Sequence, residues 1–233
     1  MPGQVTRDRF RRFAVYDPGP AALARFGARW LGWDAPTGRA CEATAPAPWT
    51  EAARRYGFHA TIKAPFRLAE GRTPEDLVRE LQTLAATLAP VELPGGLVLA
   101  QIDGFLALVP RDQTVALTDL AARVVAGLDH LRAPLTKAEI ARRRPETLSE
   151  VGRAHLARWG YPHVMDSFRY HMTLTGPIEG ADANDARAQL VPALAGLLPD
   201  PHPVAKLALM GEDADGFFHE ITRCRLGGGA GSA

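Results

Sequence analysis

The stretch Phe58-His59-Ala60-Thr61-Ile62-Lys63-Ala64-Pro65-Phe66 returns later in the chain as Tyr170-His171-Met172-Thr173-Leu174-Thr175-Gly176-Pro177-Ile178. Both copies read aromatic, His, any residue, Thr, aliphatic, two variable residues, Pro, apolar. β-branched and aromatic residues favour extended backbone, and Pro is tolerated where a strand ends. Side chains alternate along a strand, so His59, Thr61 and Lys63 are expected on one face and Phe58, Ala60 and Ile62 on the other. In the second copy the same rule groups His171, Thr173 and Thr175. Each strand then has an apolar back and a face carrying an imidazole beside a hydroxyl.

The spacing around the two copies extends the likeness. Gly104-Phe105 begins 45 residues after His59, and Gly216-Phe217 begins 45 residues after His171. Between these landmarks each copy reads motif strand, helix, strand, strand. In the first, Thr73-Pro74-Glu75-Asp76 is a strong helix start, with a Thr cap, Pro in the first position and acids at the positive end. Asp103-Gly104 is a hairpin turn signal between apolar runs at 96–102 and 104–109. In the second, residues 182–198 read as a helix that Pro192 kinks or ends, followed by strands at 204–210 and 217–225. Upstream of the first copy, 11–17 reads as a strand and 21–33 as an amphipathic helix, while the Pro- and Ala-rich 34–49 reads as a loop. The expectation is one duplicated unit packed about a pseudo-twofold axis.

A chain of 233 residues, 46% hydrophobic and 23% charged, is that of a globular protein with a substantial core. The formal net charge of +1 gives no global basic field for nucleic acid. No apolar run approaches the roughly 18 residues of a membrane span, and the Arg-rich first residues do not read as a secretory signal. Cys41 and Cys224 are the only two cysteines, in no metal-ligand spacing, so a reduced, cytoplasmic setting is the simpler reading. No H-E-x-x-H or Cys pair is present, so neither a metal nor a cofactor is expected.

Two histidines in one cleft can hold opposite protonation states near neutral pH. One takes a proton from an attacking hydroxyl or water, and the other gives one to the departing alkoxide. Phosphodiester cleavage needs both services, plus donors to the non-bridging oxygens. A Thr two residues from each His lies about 6.6 Å along the strand, near enough to share one phosphate. Lys63 would add positive charge on the same face. The densest basic cluster is Arg142-Arg143-Arg144, with Arg132 and Lys137 upstream. It reads either as a solvated helix face or as a cleft wall on which Arg132, Arg142 or Arg143 grips a second phosphate, since guanidinium matches phosphate in two-point contact. Tyr16 and Arg12, on the first strand, are weaker candidates of the same kind.

The paired His59-Ala60-Thr61 and His171-Met172-Thr173 resemble the two signature motifs of the two-histidine (2H) phosphoesterase superfamily. More narrowly, Tyr56 to Phe66, Gly104 to Pro110, Arg132-Ala133-Pro134-Leu135 and Trp159-Gly160-Tyr161-Pro162 resemble a branch named phosphonate-metabolism proteins, encoded near carbon–phosphorus lyase genes. The resemblance implies an α+β, bilobal fold with two antiparallel sheets, helices outside and a central cleft. Residues 1–226 would be one such domain, with motif lobes at about 50–113 and 165–226, a helical insertion at about 132–166 and a flexible tail at 227–233. It further implies that His59 and His171 are the acid–base pair and that Thr61 and Thr173 bind phosphate. The implied activity is hydrolysis of a small cyclic phosphate, a ribosyl 1,2-cyclic phosphate or a 2′,3′-cyclic nucleotide. The implied partner is thus a small phosphorylated substrate and not a membrane. Two rivals stand beside it: an RNA-end phosphodiesterase or ligase-like enzyme acting on short RNA, and a phospho-ligand-binding module without turnover.

Overall fold

A computed structural model describes residues 9–227. Its first strand, β1 (Arg12–Asp17), leads through Pro18-Gly19-Pro20 into α1 (Ala21–Leu31), which Gly32 ends in the left-handed conformation. The next stretch is not a bare loop. It forms a small ribbon, β2 (Trp33–Asp34) with β3 (Arg39–Ala40), and then a helix, α2 (Ala47–Arg54), with Pro48 in its first turn. Pro is compatible with that turn because the N–H it lacks has no helical partner there. The first motif strand, β4 (Ala60–Phe66), follows.

α3 (Pro74–Thr87) starts on a full capping box, with Thr73 and Asp76 each satisfying the other's backbone. β5 (Val91–Leu93), β6 (Leu97–Ile102) and β7 (Phe105–Pro110) come next. Asp103 at φ 48° and Gly104 at φ 88° make the tight turn that joins β6 to β7. α4 (Val115–Gly127) is capped by Thr114. The insertion holds α5 (Lys137–Arg142), with a Thr136–Glu139 capping box, and α6 (Glu150–Trp159), capped by Ser149 and closed by Gly160. The second motif strand is β8 (Met172–Pro177). α7 (Gly180–Leu194) carries Pro192 in its last turn and stops two residues later. β9 (His202–Val204), β10 (Lys206–Glu212) and β11 (Phe218–Arg225) complete the chain. Of the expected tail, residues 228–233 lie outside the described residues, as do 1–8.

The fold is α+β and every strand pairing is antiparallel. The main sheet has the order β11-β10-β1-β4-β8-β7-β6. Its two halves meet between the motif strands at one register pair, Ala60 with Met172. The sequential lobes expected at 50–113 and 165–226 are corrected by this order. β4 pairs with β1, beyond which lies the C-terminal hairpin β10–β11, and β8 pairs with the hairpin β6–β7 of the first repeat. Each repeat's hairpin therefore lies on the other motif strand's side of the sheet, β7 directly on β8 and β10 separated from β4 by β1, which leaves the motif strands together at the centre.

The main core lies behind the sheet, where Leu77, Leu81, Leu117, Leu120, Val124 and Leu190 of α3, α4 and α7 are fully or almost fully buried. At roughly 25 cal/mol per Å² of apolar area, such burial is the dominant stabilising term. A second, smaller cluster joins Ala14, Tyr16, Trp33, Met210 and Phe218 on the other face. Indole donors tie the layers: Trp30 to the Leu174 carbonyl at 2.9 Å and Trp33 to the Phe218 carbonyl at 2.8 Å. Cys41 and Cys224 are free thiols. Among the described residues no helix is long and apolar enough to cross a membrane.

Candidate active site

The seam between β4 and β8 opens into a cleft of about 710 Å³. His59, Thr61, Thr173, Tyr16, Arg142 and Arg143 line it, together with Arg12, Arg55, Tyr56, Phe105, Glu139 and Tyr161 among others. Ala60 and Met172 each follow their own motif's histidine, so this pair brings the two His-x-Thr segments side by side at the seam.

His59 sits just before β4. Its Nδ1–H donates to the Gly57 carbonyl at 3.0 Å, which leaves Nε2 as the basic nitrogen, and Nε2 accepts from the Thr61 hydroxyl at 3.1 Å. The ring stacks on Tyr16, with centroids 3.4 Å apart. Burial strips water from the imidazolium and pushes the His59 pKa down to about 3, against the Gly57 carbonyl, which favours the charged form; the nearby His171 adds a smaller lowering.

His171 is not among the residues that line the cleft. It precedes β8, packs 5.8 Å from the Phe105 ring that does line the wall, and donates from Nδ1 to the Arg169 carbonyl at 2.9 Å. Its Nε2 is the nitrogen left to carry a transferable proton. Thr175, on the same face, is fully buried, and its hydroxyl accepts from Leu106 N–H at 2.9 Å. It closes the irregular register between Phe105 and Ala107 on β7.

Lys63 and Arg132 do not reach the cleft. Tyr16 pairs with Thr61 and Val15 with Lys63, so two residues advance on β4 for one on β1. This bulge breaks the alternation and turns Lys63 to the back of the sheet. There the buried ammonium donates to the Val125 carbonyl at 3.1 Å and lies 3.7 Å from Asp129. Burial pulls its pKa down to about 8, opposed by Asp129. Arg132 is likewise held away, donating to both carboxylate oxygens of Asp129 and to the Arg158 carbonyl.

The insertion delivers the cations instead. Arg67, just past β4, grips Glu139 through two hydrogen bonds of 3.0 Å, and this pairing holds the Glu139 carboxyl down to about 2. Glu139 in turn caps α5, whose end carries Arg142 and Arg143 into the cleft. The Arg143 guanidinium lies 4.7 Å from the Tyr161 ring centroid. Arg12 lines the cleft but is ion-paired with Glu212. Arg55 and Tyr161 were not legible as site residues. Arg55 stands at the end of the unexpected helix α2, and Tyr161 in a segment noted only for its resemblance to the phosphonate-metabolism branch.

Two His-x-Thr segments side by side at the centre of an antiparallel α+β fold, next to an arginine-bearing cleft, are the arrangement that the resemblance to two-histidine phosphoesterases implied. The chain belongs to the family described as protein of unknown function (DUF1045), whose model matches residues 61–219. It is 38% identical over 193 residues to a protein of Janthinobacterium sp. (strain Marseille) named ribose 1,5-bisphosphate phosphokinase PhnN, covering 78% of this chain and 42% of that protein. A protein of the same name from Laribacter hongkongensis (strain HLHK9) is 35% identical over 225 residues, covering 92% and 51%. The chain thus spans about half the length of the curated relatives it matches. Among solved structures, E. coli LigT complexed with 3′-AMP is similar at TM-score 0.44 and 16% identity, over 93% of this chain and 98% of that one. LigT complexed with phosphate is similar at TM-score 0.45 and 14% identity, over 94% and 98%.

Proposed function

We propose that this protein is a metal-independent phosphoesterase that opens a small cyclic phosphodiester with water, using His59 as general base and His171 as general acid. The observation that carries the reading is the seam itself, where the motif strands pair at Ala60 and Met172, each the residue after its motif's histidine. His59 is neutral at physiological pH and presents Nε2 as a lone pair. When phosphate binds, the Thr61 hydroxyl turns its proton to a non-bridging oxygen and frees that lone pair for water. Water attacks phosphorus and its proton passes to His59 Nε2. The ring P–O bond breaks, and the departing alkoxide takes the proton on His171 Nε2. Thr61 and Thr173 donate to the non-bridging oxygens as charge builds. A bound anion also favours the imidazolium that forms on His59, which offsets part of the desolvation.

The substrate we favour is a ribosyl 1,2-cyclic phosphate that carries a second phosphate on the sugar. Breaking the bond at O2 of a 5-phosphorylated ring leaves ribose 1,5-bisphosphate. That is the compound after which the longer relatives are named. Arg55, Arg142 and Arg143, which line the same cleft, supply guanidinium for the second phosphate. Purified protein is to be assayed against this cyclic sugar phosphate and against 2′,3′-cyclic nucleotides. Turnover is expected, with His59→Ala and His171→Ala each lowering it by about 10²–10⁴-fold. Absence of turnover on any cyclic phosphate rejects the proposal and leaves a binding module.

A further inference from the structure

Behind the cleft, three buried polar side chains form a chain that the chemistry above does not use. The Tyr170 hydroxyl donates to Asp17 Oδ2 at 2.6 Å, and Asp17 Oδ1 accepts from Gly19 N–H at 2.9 Å. His202 Nε2 lies 3.4 Å from the Tyr170 oxygen, while its Nδ1 has no partner among the described residues. Asp17, Tyr170 and His202 are at most 2% exposed.

The sequence positions of the first two give the contact its meaning. Asp17 follows Tyr16, the residue stacked on His59, and pairs across the sheet with Ala60, which follows His59. Tyr170 immediately precedes His171. One hydrogen bond therefore joins the backbone beside one imidazole to the backbone beside the other. The segment that carries His171 needs such an anchor, because it lies outside β8 and has no place in its ladder. Its other ties are also side chains: Gln113 Oε1 accepts from Tyr170 N–H at 2.9 Å, and Gln113 Nε2 donates to the Phe168 carbonyl at 2.7 Å.

A core built for stability alone has no use for this pair. Burying a carboxylate costs free energy that an apolar pair of the same volume avoids. What the polar pair adds is direction, since a short O–H···O bond to a carboxylate fixes both distance and angle. We propose that Tyr170, through its hydrogen bond to Asp17, is a positioning residue that holds the His171 ring at a set separation from His59, so that both serve one phosphorus centre. The kinetic consequence rests on the phosphoesterase reading, whereas the structural one does not.

The test compares Tyr170→Phe, which removes only the hydroxyl, with Asp17→Asn, whose one amide oxygen can still accept from Tyr170 while the Gly19 N–H loses its acceptor. Tyr170→Phe is expected to lower kcat on the cyclic substrate by about 10- to 100-fold, as misplacement of a reacting group does, with KM within about twofold. Asp17→Asn is expected to keep kcat within about threefold. A second readout needs no turnover: the His171 ring signals in NMR, assigned by their loss in His171→Gln. They should shift or broaden in Tyr170→Phe and return to their wild-type positions in Asp17→Asn. If the wild-type protein turns over no cyclic phosphate, the phosphoesterase reading fails and the ring signals alone decide the anchor. Wild-type ring signals in Tyr170→Phe overturn it, and so does equal impairment in Asp17→Asn. Should Tyr170→Phe not fold, Asp17→Ala cuts the same bond from the other end, and unchanged His171 signals there overturn it equally.

Discussion

Tyr16 and His59 stack face to face, ring centroids 3.4 Å apart and planes within 11° of parallel. Two effects compete in this contact. The π face of Tyr attracts an imidazolium by about 0.5–2 kcal/mol, which would raise the pKa. Loss of hydration acts the other way, and the pKa near 3 means that desolvation wins. Tyr16→Leu removes the flat cover and admits water, so the His59 pKa should climb from about 3 toward its ordinary value of 6.5. Tyr16→Phe keeps the stack and should leave it low. An NMR titration of the His59 ring checks both, and an unmoved value in Tyr16→Leu would remove Tyr16 as the shield.

Lys63 and Arg142 should separate cleanly in mutagenesis. Lys63 donates to a carbonyl in the last turn of α4, where carbonyls lack helical partners and a cation is favoured. Lys63→Met should therefore destabilise the protein, by about 1–3 kcal/mol, and leave KM within about twofold. Arg142→Ala should do the reverse, raising KM roughly tenfold or more through a lost charged contact with little change in stability. Urea unfolding and steady-state kinetics on both variants decide. A KM effect confined to Lys63→Met would place Lys63, and not Arg142, against the substrate.

That bulge marks where legibility in the sequence ends. The two His-x-Thr segments, the capping box at Thr73, the Asp103-Gly104 turn and the strands of both hairpins all announce themselves through local pattern, because alternation, capping and turn chemistry are properties of neighbouring residues. Lys63 followed the same alternation rule and failed it, since a bulge depends on how β1 happens to register against β4. The crossed pairing of hairpins with motif strands was equally hidden. Equal spacing identifies two like units but not which unit's hairpin lies beside which strand. α2 was masked by composition: Ala-Pro-Trp-Thr-Glu-Ala-Ala-Arg looks like a loop until Trp49 and Ala53 are seen buried. With α2 went Arg55. Arg142 and Arg143 were legible as a basic run, and only the Arg67–Glu139 pairing explains why that run faces the cleft.

Close approach of α1 to the first motif makes Gly27 a sensitive position. A Cβ built there would meet the Phe58 ring at 1.9 Å, far inside contact distance. Phe58 adjoins His59, so the ring cannot move without disturbing the base. Gly27→Ala gains helix propensity on the order of 1 kcal/mol, but overpacking of this kind costs about 1–3 kcal/mol. The net expectation is a lower urea midpoint together with reduced turnover. A more stable Gly27→Ala variant with normal turnover would show that Phe58 has room to retreat.

Asp17 gives the pH dependence a clear sign. Burial raises its pKa from 3.8 to about 6, although the Tyr170 hydroxyl and the Gly19 N–H pull it down. A carboxyl raised in the folded state binds its proton more tightly there than in the unfolded chain. Between about pH 4 and 6 the folded protein thus holds the extra proton, and stability falls as pH rises through that window. His59 and His202 act in the opposite sense, since burial lowers them to about 3 and about 4 and they protonate more readily when unfolded. The whole-protein profile mixes these contributions, so the informative quantity is the difference between variant and wild type. Asp17→Asn has no proton to lose and keeps an acceptor for Tyr170, while its amide NH2 then faces the Gly19 N–H. Relative to its own stability difference near pH 4, it should gain about 3 kcal/mol on wild type above pH 6. The gain should shrink toward zero as pH falls to about 4. Urea unfolding of both proteins at intervals from pH 4 to 7 measures it, and a difference that stays flat with pH would mean that Asp17 does not titrate in this range.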